Sequence, residues 1–212
     1  MQSKRGKFIA VEGIDGSGKS TQVAKLCSRL KAEGHKIYPT FEPTNGPIGS
    51  LIRQMFSTRI TADDKTIAAL FVADRLDHLQ NPVNGVLKKL AEGFTVITDR
   101  YYFSSYAYHG AHMPLDWVIQ SNALSAELLR PDLNIFIDIP PQVGFERVHA
   151  NRADVEIYET LENIKKVYTT YQKAFDLLKD QEKIVSIDGN RSMEEVAEDL
   201  YQISVDCMKE GV

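Results

Sequence analysis

The stretch Gly13-Ile14-Asp15-Gly16-Ser17-Gly18-Lys19-Ser20 decides how this chain is read. It matches G-x-x-x-x-G-K-[ST]. An apolar run, Phe8-Ile9-Ala10-Val11, precedes it, and Val23, Leu26 and Leu30 follow at helical spacing. Strand, glycine-rich turn and helix start together make a phosphate cradle. The glycines let backbone N–H groups turn inward around phosphate oxygens, and the helix start adds the positive end of its dipole. Residues Gly13, Ile14, Asp15, Gly16, Ser17, Gly18, Lys19, Ser20 and Thr21 are therefore expected to bind a nucleoside triphosphate. Lys19 would reach the β- and γ-phosphates, and the Ser20 hydroxyl would hold Mg²⁺. The bland alternative, a turn that binds nothing, does not require the full motif in this order.

Outward from that loop, apolar runs alternate with helical spacing. Strands are expected near residues 7–12, 36–41, 94–98, 134–138 and 183–187. The first helix should run from Gly18 to about Glu33 and stop at Gly34. Others are expected through Ile48–Met55, from a cap at Thr61 with Asp64 through Leu79, up to Gly93, and over residues 115–129. One more follows Pro140-Pro141. Leu161, Ile164, Tyr168, Tyr171, Phe175 and Leu178 predict a long amphipathic helix, and Ser192 with Glu195 a capping box for the last one. This alternation predicts an α/β fold of the three-layer P-loop NTPase type: a five-stranded parallel sheet with helices on both faces. The expected organisation is one domain over residues 1–212, with a short polar lid at about 148–158.

Composition narrows the class. Hydrophobic residues make up 43% of the 212 and charged residues 25%, ordinary for a globular chain. A net charge of −4 leaves no basic field for long nucleic acid, so phosphate must be held by a few local cations. No apolar run reaches membrane-spanning length, and residues 1–6 lead straight into a strand. A cytoplasmic protein without membrane contact is the expectation. Cys27 and Cys207 are far apart, without CxxC spacing, and read as buried free thiols.

A phosphate loop says what is bound, not what is done with it. Three further segments bear on that: Phe71-Val72-Ala73-Asp74-Arg75, Asp99-Arg100-Tyr101 running on to Tyr108, and the Pro140-Pro141 turn with its polar sequel. Phe71, Arg75 and His78 fall on one helix face. Charged residues just past a strand of a parallel sheet, here Asp99 and Arg100, sit where ligands bind. With Phe41-Glu42-Pro43 and the phosphate loop, these segments in this order resemble the thymidylate kinase family over nearly the whole chain.

The resemblance implies transfer of a phosphoryl group from ATP to dTMP, with Mg²⁺, in a homodimer. It implies that Phe71 stacks on the thymine ring, Arg75 bonds the base edge, and Arg53 and Arg100 hold the acceptor phosphate. Asp15 would bond the sugar 3′-hydroxyl. Ser104, Ser105 and Tyr108 would line the base and the 2′ position, with Glu42 and Pro43 bordering the acceptor. Asp99 would help organise Mg²⁺, partly through water. Lys19, Asp99, Arg100 and a lid arginine would carry catalysis.

Four departures qualify it. Gly16 stands where one branch of the family has arginine. The lid offers only Arg147 and Arg152 (Arg152 is the first choice), and Ile157 replaces a frequent arginine. His109 stands at a usual glutamine position; it and His112 read as surface or loop histidines rather than metal ligands. Thr44 replaces a charged residue or glycine. The loop Asp188-Gly189-Asn190-Arg191 is positioned to border adenine. Two rivals remain open: a nucleoside kinase with Glu42 as its base, and a nucleotide switch without acceptor turnover. On bland readings Phe71 would be plain core and Arg75 would pair with Asp74 or Asp77 on a solvated face.

Overall fold

A computed structural model describes residues 5–57, 59–151 and 160–210. Five strands, β1 (Phe8–Glu12), β2 (Ile37–Phe41), β3 (Thr95–Asp99), β4 (Leu133–Asp138) and β5 (Ile184–Asp188), form one sheet. Its order is β2-β3-β1-β4-β5, with every pairing parallel. Between them run α1 (Lys19–Ala32), α2 (Pro47–Phe56), α3 (Asp64–Gln80), α4 (Val86–Ala91), α5 (Tyr102–Gly110), α6 (Leu115–Ser121), α7 (Ala123–Leu128), α8 (Pro141–Asn151), α9 (Leu161–Leu178) and α10 (Met193–Lys209).

Period-two alternation along β1 splits the core. Phe8 and Ala10 face one apolar cluster with Tyr101, Tyr106, Phe136 and Tyr171, from α5, α9 and their neighbours. Ile9 and Val11 face the other, filled from α1 and α10 by Leu26, Leu30, Val196 and Leu200. Strands buried on both faces have to read as continuous apolar runs, and these do. Cys27 and Cys207 are buried and free. Among the described residues, no helix is long and apolar enough to cross a membrane.

Three local expectations need correction. The cap of α3 is Asp63, whose carboxylate accepts from Thr66 N at 2.9 Å, rather than Thr61 with Asp64. An aspartate directly before the first turn reaches those amides; Thr61 lies two residues too far back. Residues 115–129 are two helices. The break falls at Asn122, whose Nδ2 donates to Val118 O at 2.8 Å, the local side-chain bond by which Asn interrupts helices. The helix α5 carries no amphipathic stripe, because Tyr102 to Ala107 are buried all round. It was not expected.

The site lies at the carboxyl ends of β1 and β3, where the chain leaves the sheet centre in opposite directions. Glu12, the phosphate loop, Asp99 and Arg100 meet there.

Candidate active site

Gly18 enters α1 with a left-handed backbone (φ 85°), and Gly16 is also left-handed (φ 79°). A Cβ at Gly16 would fall 2.3 Å from Gly144 O on α8, so the loop seats its backbone against that helix. A side chain there is excluded sterically, not only by conformation. Lys19 is buried, with Nζ 3.6 Å from Asp15 Oδ1. Burial and the nearby Arg100 guanidinium push its pKa below the usual lysine range. Asp15, Gly16, Ser17, Gly18, Lys19, Ser20 and Thr21 line a cleft of about 610 Å³ with Arg147, Gly189 and Arg191. Gly13 and Ile14 lie behind it, Ile14 fully buried.

The Ser20 hydroxyl donates to Asp99 Oδ2. Asp99 Oδ1 is buried and has no hydrogen-bond partner among the described residues. A buried carboxylate oxygen left unpaired beside a hydroxyl is a costly arrangement for protein alone and a good one for Mg²⁺, a hard cation that takes oxygen ligands. These two residues fit the expected ion. Among the described residues no cluster of three His, Cys, Asp or Glu could form a metal cage.

Arg100 is the described non-glycine residue with a positive φ, 73°. Such a conformation costs roughly 1 kcal/mol or more and persists only where neighbours hold it. Its N–H donates to Val11 O at 2.9 Å and its carbonyl accepts from Thr98 Oγ1 at 2.8 Å. The turn aims the guanidinium back at the phosphate loop. Nη2 meets Asp15 Oδ1 at 2.5 Å and Tyr108 OH at 3.3 Å, and Nη1 meets Ser104 Oγ at 3.1 Å.

A second network lies beyond. The carboxylate of Glu42 is buried and accepts from Arg75 Nε at 2.9 Å and Nη2 at 2.5 Å, with His78 Nδ1 at 3.1 Å. Arg75 also donates to Asn122 Oδ1 and, at 3.1 Å, to Ser105 Oγ. Burial alone would raise the Glu42 carboxyl, but Arg75 and His78 outweigh it and its pKa falls below the ordinary range. The bland reading, with Arg75 paired to Asp74 or Asp77 on a solvated face, is excluded. With 1% of its surface exposed, Arg75 points inward, while Asp74 accepts from Thr44 N and Oγ1. Arg53 donates to Pro43 O at 2.9 Å and Thr44 O at 2.6 Å, bracing the loop that follows Glu42.

Phe71 is half-buried, its ring 5.2 Å from the His109 imidazole and 5.9 Å from Phe56. His109 is not a surface histidine: it is 4% exposed on α5. Burial, reinforced by Arg75, lowers its pKa to about 4, so the ring is neutral at physiological pH. Arg147 lies on α8, with Nη1 3.5 Å from Gly189 O. Arg152 and the Glu156–Glu159 segment lie outside the described residues.

Comparison with known proteins fits this geometry. The family model for thymidylate kinase matches residues 11–200. The chain belongs to the thymidylate kinase family. A probable thymidylate kinase of Pyrobaculum calidifontis is 38% identical over 200 residues, covering 92% of this chain and 94% of that one. The thymidylate kinase of Caldicellulosiruptor saccharolyticus is 32% identical over 209 residues, 97% and 98% of the two chains. A probable thymidylate kinase of Pyrococcus horikoshii is 34% identical over 205 residues, 94% of this chain and 96% of that one. Family members are ATP-dependent nucleoside monophosphate kinases.

Two residues of the site escaped the sequence reading. Glu12, at the end of β1, has all four donors of its carboxylate on other elements. Tyr171 donates to Glu12 Oε2 at 3.0 Å from α9, 159 residues away. Only the apolar run ending in a glutamate just before the glycine loop could have flagged the first. Nothing in the spacing of Tyr171 separates it from its packing neighbours.

Proposed function

We propose that the chain transfers the γ-phosphoryl group of ATP to dTMP, giving ADP and dTDP, by in-line transfer without a covalent enzyme intermediate. The observation that carries this is Arg100, bent back by its left-handed backbone so that its guanidinium touches Asp15 of the phosphate loop. An acceptor that arrives as a phosphate needs a fixed cation beside the donor, and arginine supplies it bidentately and stays charged. A nucleoside acceptor needs a base instead. Glu42 is held ionised by Arg75 and His78 and spent on them, which disfavours that rival.

On this reading the loop amides and Lys19 hold the β- and γ-phosphates, and Arg100 with Arg53 orients the acceptor phosphate. Positioning and charge neutralisation supply most of the catalysis in such transfers. Mg²⁺, held by Ser20 and Asp99, would add neutralisation of the developing phosphate charge. Phe71 stacks on the base, with Arg75 and Ser105 at its edge, and Asp15, Ser104 and Tyr108 border the sugar. Arg147, which lines the donor cleft, supports a transition-state role, and Arg152 stays a candidate beside it. The Gly189–Arg191 loop borders adenine. A homodimer in the cytoplasm, organised as one domain, completes the proposal.

The test is ADP release from Mg·ATP with dTMP, dUMP, dCMP, dGMP, AMP, UMP and thymidine. Turnover mainly with dTMP is expected. Turnover of thymidine but not dTMP would return Glu42 to the role of base, and ATP binding without any turnover would overturn the kinase reading.

A further inference from the structure

The Glu12 carboxylate is fully buried and has no part in the scheme above. Its Oε1 accepts from Tyr101 N at 2.8 Å and Ser104 N at 3.3 Å; its Oε2 accepts from Ser104 Oγ at 2.5 Å and Tyr171 OH at 3.0 Å. The first two donors are the N-cap and third amides of α5. Its own cap residue, Tyr101, provides no side-chain bond. A capping box normally satisfies those amides from within the helix. Here a strand 89 residues earlier does so with one carboxylate, at the helix end whose dipole favours an anion.

The other oxygen reaches the phosphate site through one side chain. Ser104 spends its proton on Glu12, so its oxygen accepts from Arg100 Nη1 at 3.1 Å while Tyr171 OH lies 2.9 Å away. We propose that Glu12 is a positioning residue for the acceptor phosphate, orienting Arg100 through Ser104 while it caps the helix that carries Ser104, Ser105 and Tyr108. This rests on the acceptor reading above. Glutamine is not an equivalent. With its amide nitrogen toward Ser104 Oγ and Tyr171 OH, one hydroxyl can donate to the other across their 2.9 Å contact, but the second hydroxyl proton loses its acceptor. With the nitrogen the other way, it faces two backbone N–H groups. Either orientation leaves a buried donor without an acceptor.

The experiment, run at about pH 8.5 so that the Glu12 carboxyl, raised to about 7 mainly by burial, is ionised, measures both Michaelis constants and kcat for the wild type, Glu12→Gln and Tyr171→Phe. Glu12→Gln should raise the KM for dTMP about tenfold or more, as loss of a charged hydrogen bond implies. The KM for ATP should stay within about twofold, because the phosphate loop makes its own contacts. Tyr171→Phe, which keeps the ring packing, should move the dTMP value in the same direction by a few fold and decides the matter if the first variant does not fold. Equal rises for both substrates, or an unchanged dTMP value in the two variants, would overturn the role of Glu12. Failure of the wild type to turn over dTMP would overturn the acceptor assignment beneath it.

Discussion

On the donor side of the cleft, eight consecutive residues supply the loop, the lysine and the hydroxyl, and most of their chemistry is backbone. On the side proposed for the acceptor, Glu12, Glu42, Arg53, Phe71, Arg75, Arg100, Ser104 and His109 come from the ends of central and edge strands, one long helix and two short ones. Their chemistry is carried by side chains that bond one another before any ligand does. The polar side chains of the donor side can therefore be altered at a point without loosening the molecule. The acceptor side is part of the core, and recognition there is tied to stability.

The largest expected effect tests the first half of that contrast. Lys19→Met should lower kcat by about a thousandfold or more, as removal of a preorganised charge at a transferring phosphoryl group does. Its melting temperature should hold or rise, since burial already disfavours the ammonium. A steady-state assay beside a thermal melt decides this, and a large loss of stability would erase the contrast. Next, Glu42→Gln should cost about 3 kcal/mol of folding free energy by leaving the Arg75 guanidinium buried without its counter-ion, read from urea unfolding. Adding Arg75→Met should recover much of it; no recovery would mean the pair is not the unit described.

The third prediction concerns pH. Folding pushes His109 down to about 4 from 6.5. Between those values the unfolded chain binds the extra proton, so stability rises with pH there. It is fully present above 6.5 and lost as pH falls toward 4, by about 3 kcal/mol at most. His109→Gln should flatten that acid limb, measured as the difference between variant and wild-type unfolding curves. Glu12, raised to about 7 mainly by burial, contributes in the opposite sense, and the difference curve removes it. The smallest effect compares two glycines of the loop. Gly18→Ala, with nothing within 4 Å of the new methyl, should cost about 1 kcal/mol through its φ alone. Gly16→Ala, pressed on Gly144, should cost more and weaken ATP binding in calorimetry. Equal costs would show that the loop does not rest on α8.

Legibility in the sequence followed the same divide. The phosphate loop, the parallel sheet and the Ser192–Glu195 box were readable because each depends on residues close in sequence, whose periodicity or spacing states the local geometry. The break at Asn122 and the cap at Asp63 were missed because several polar residues compete for such places and only the surrounding packing chooses. The helix α5 was hidden because a helix buried on all sides has no polar face to mark its period.

Taken alone, the sequence determined the fold class, the donor loop and the family resemblance, since backbone conformations and core faces are set by neighbours along the chain. Only the tertiary structure decided that Arg75 turns inward to Glu42, that His109 is buried and neutral, that Gly16 abuts Gly144, and that Glu12 caps a helix it does not belong to. A buried charge or a close backbone contact depends on which remote group arrives opposite it. That partner is chosen by packing in three dimensions rather than by spacing in one.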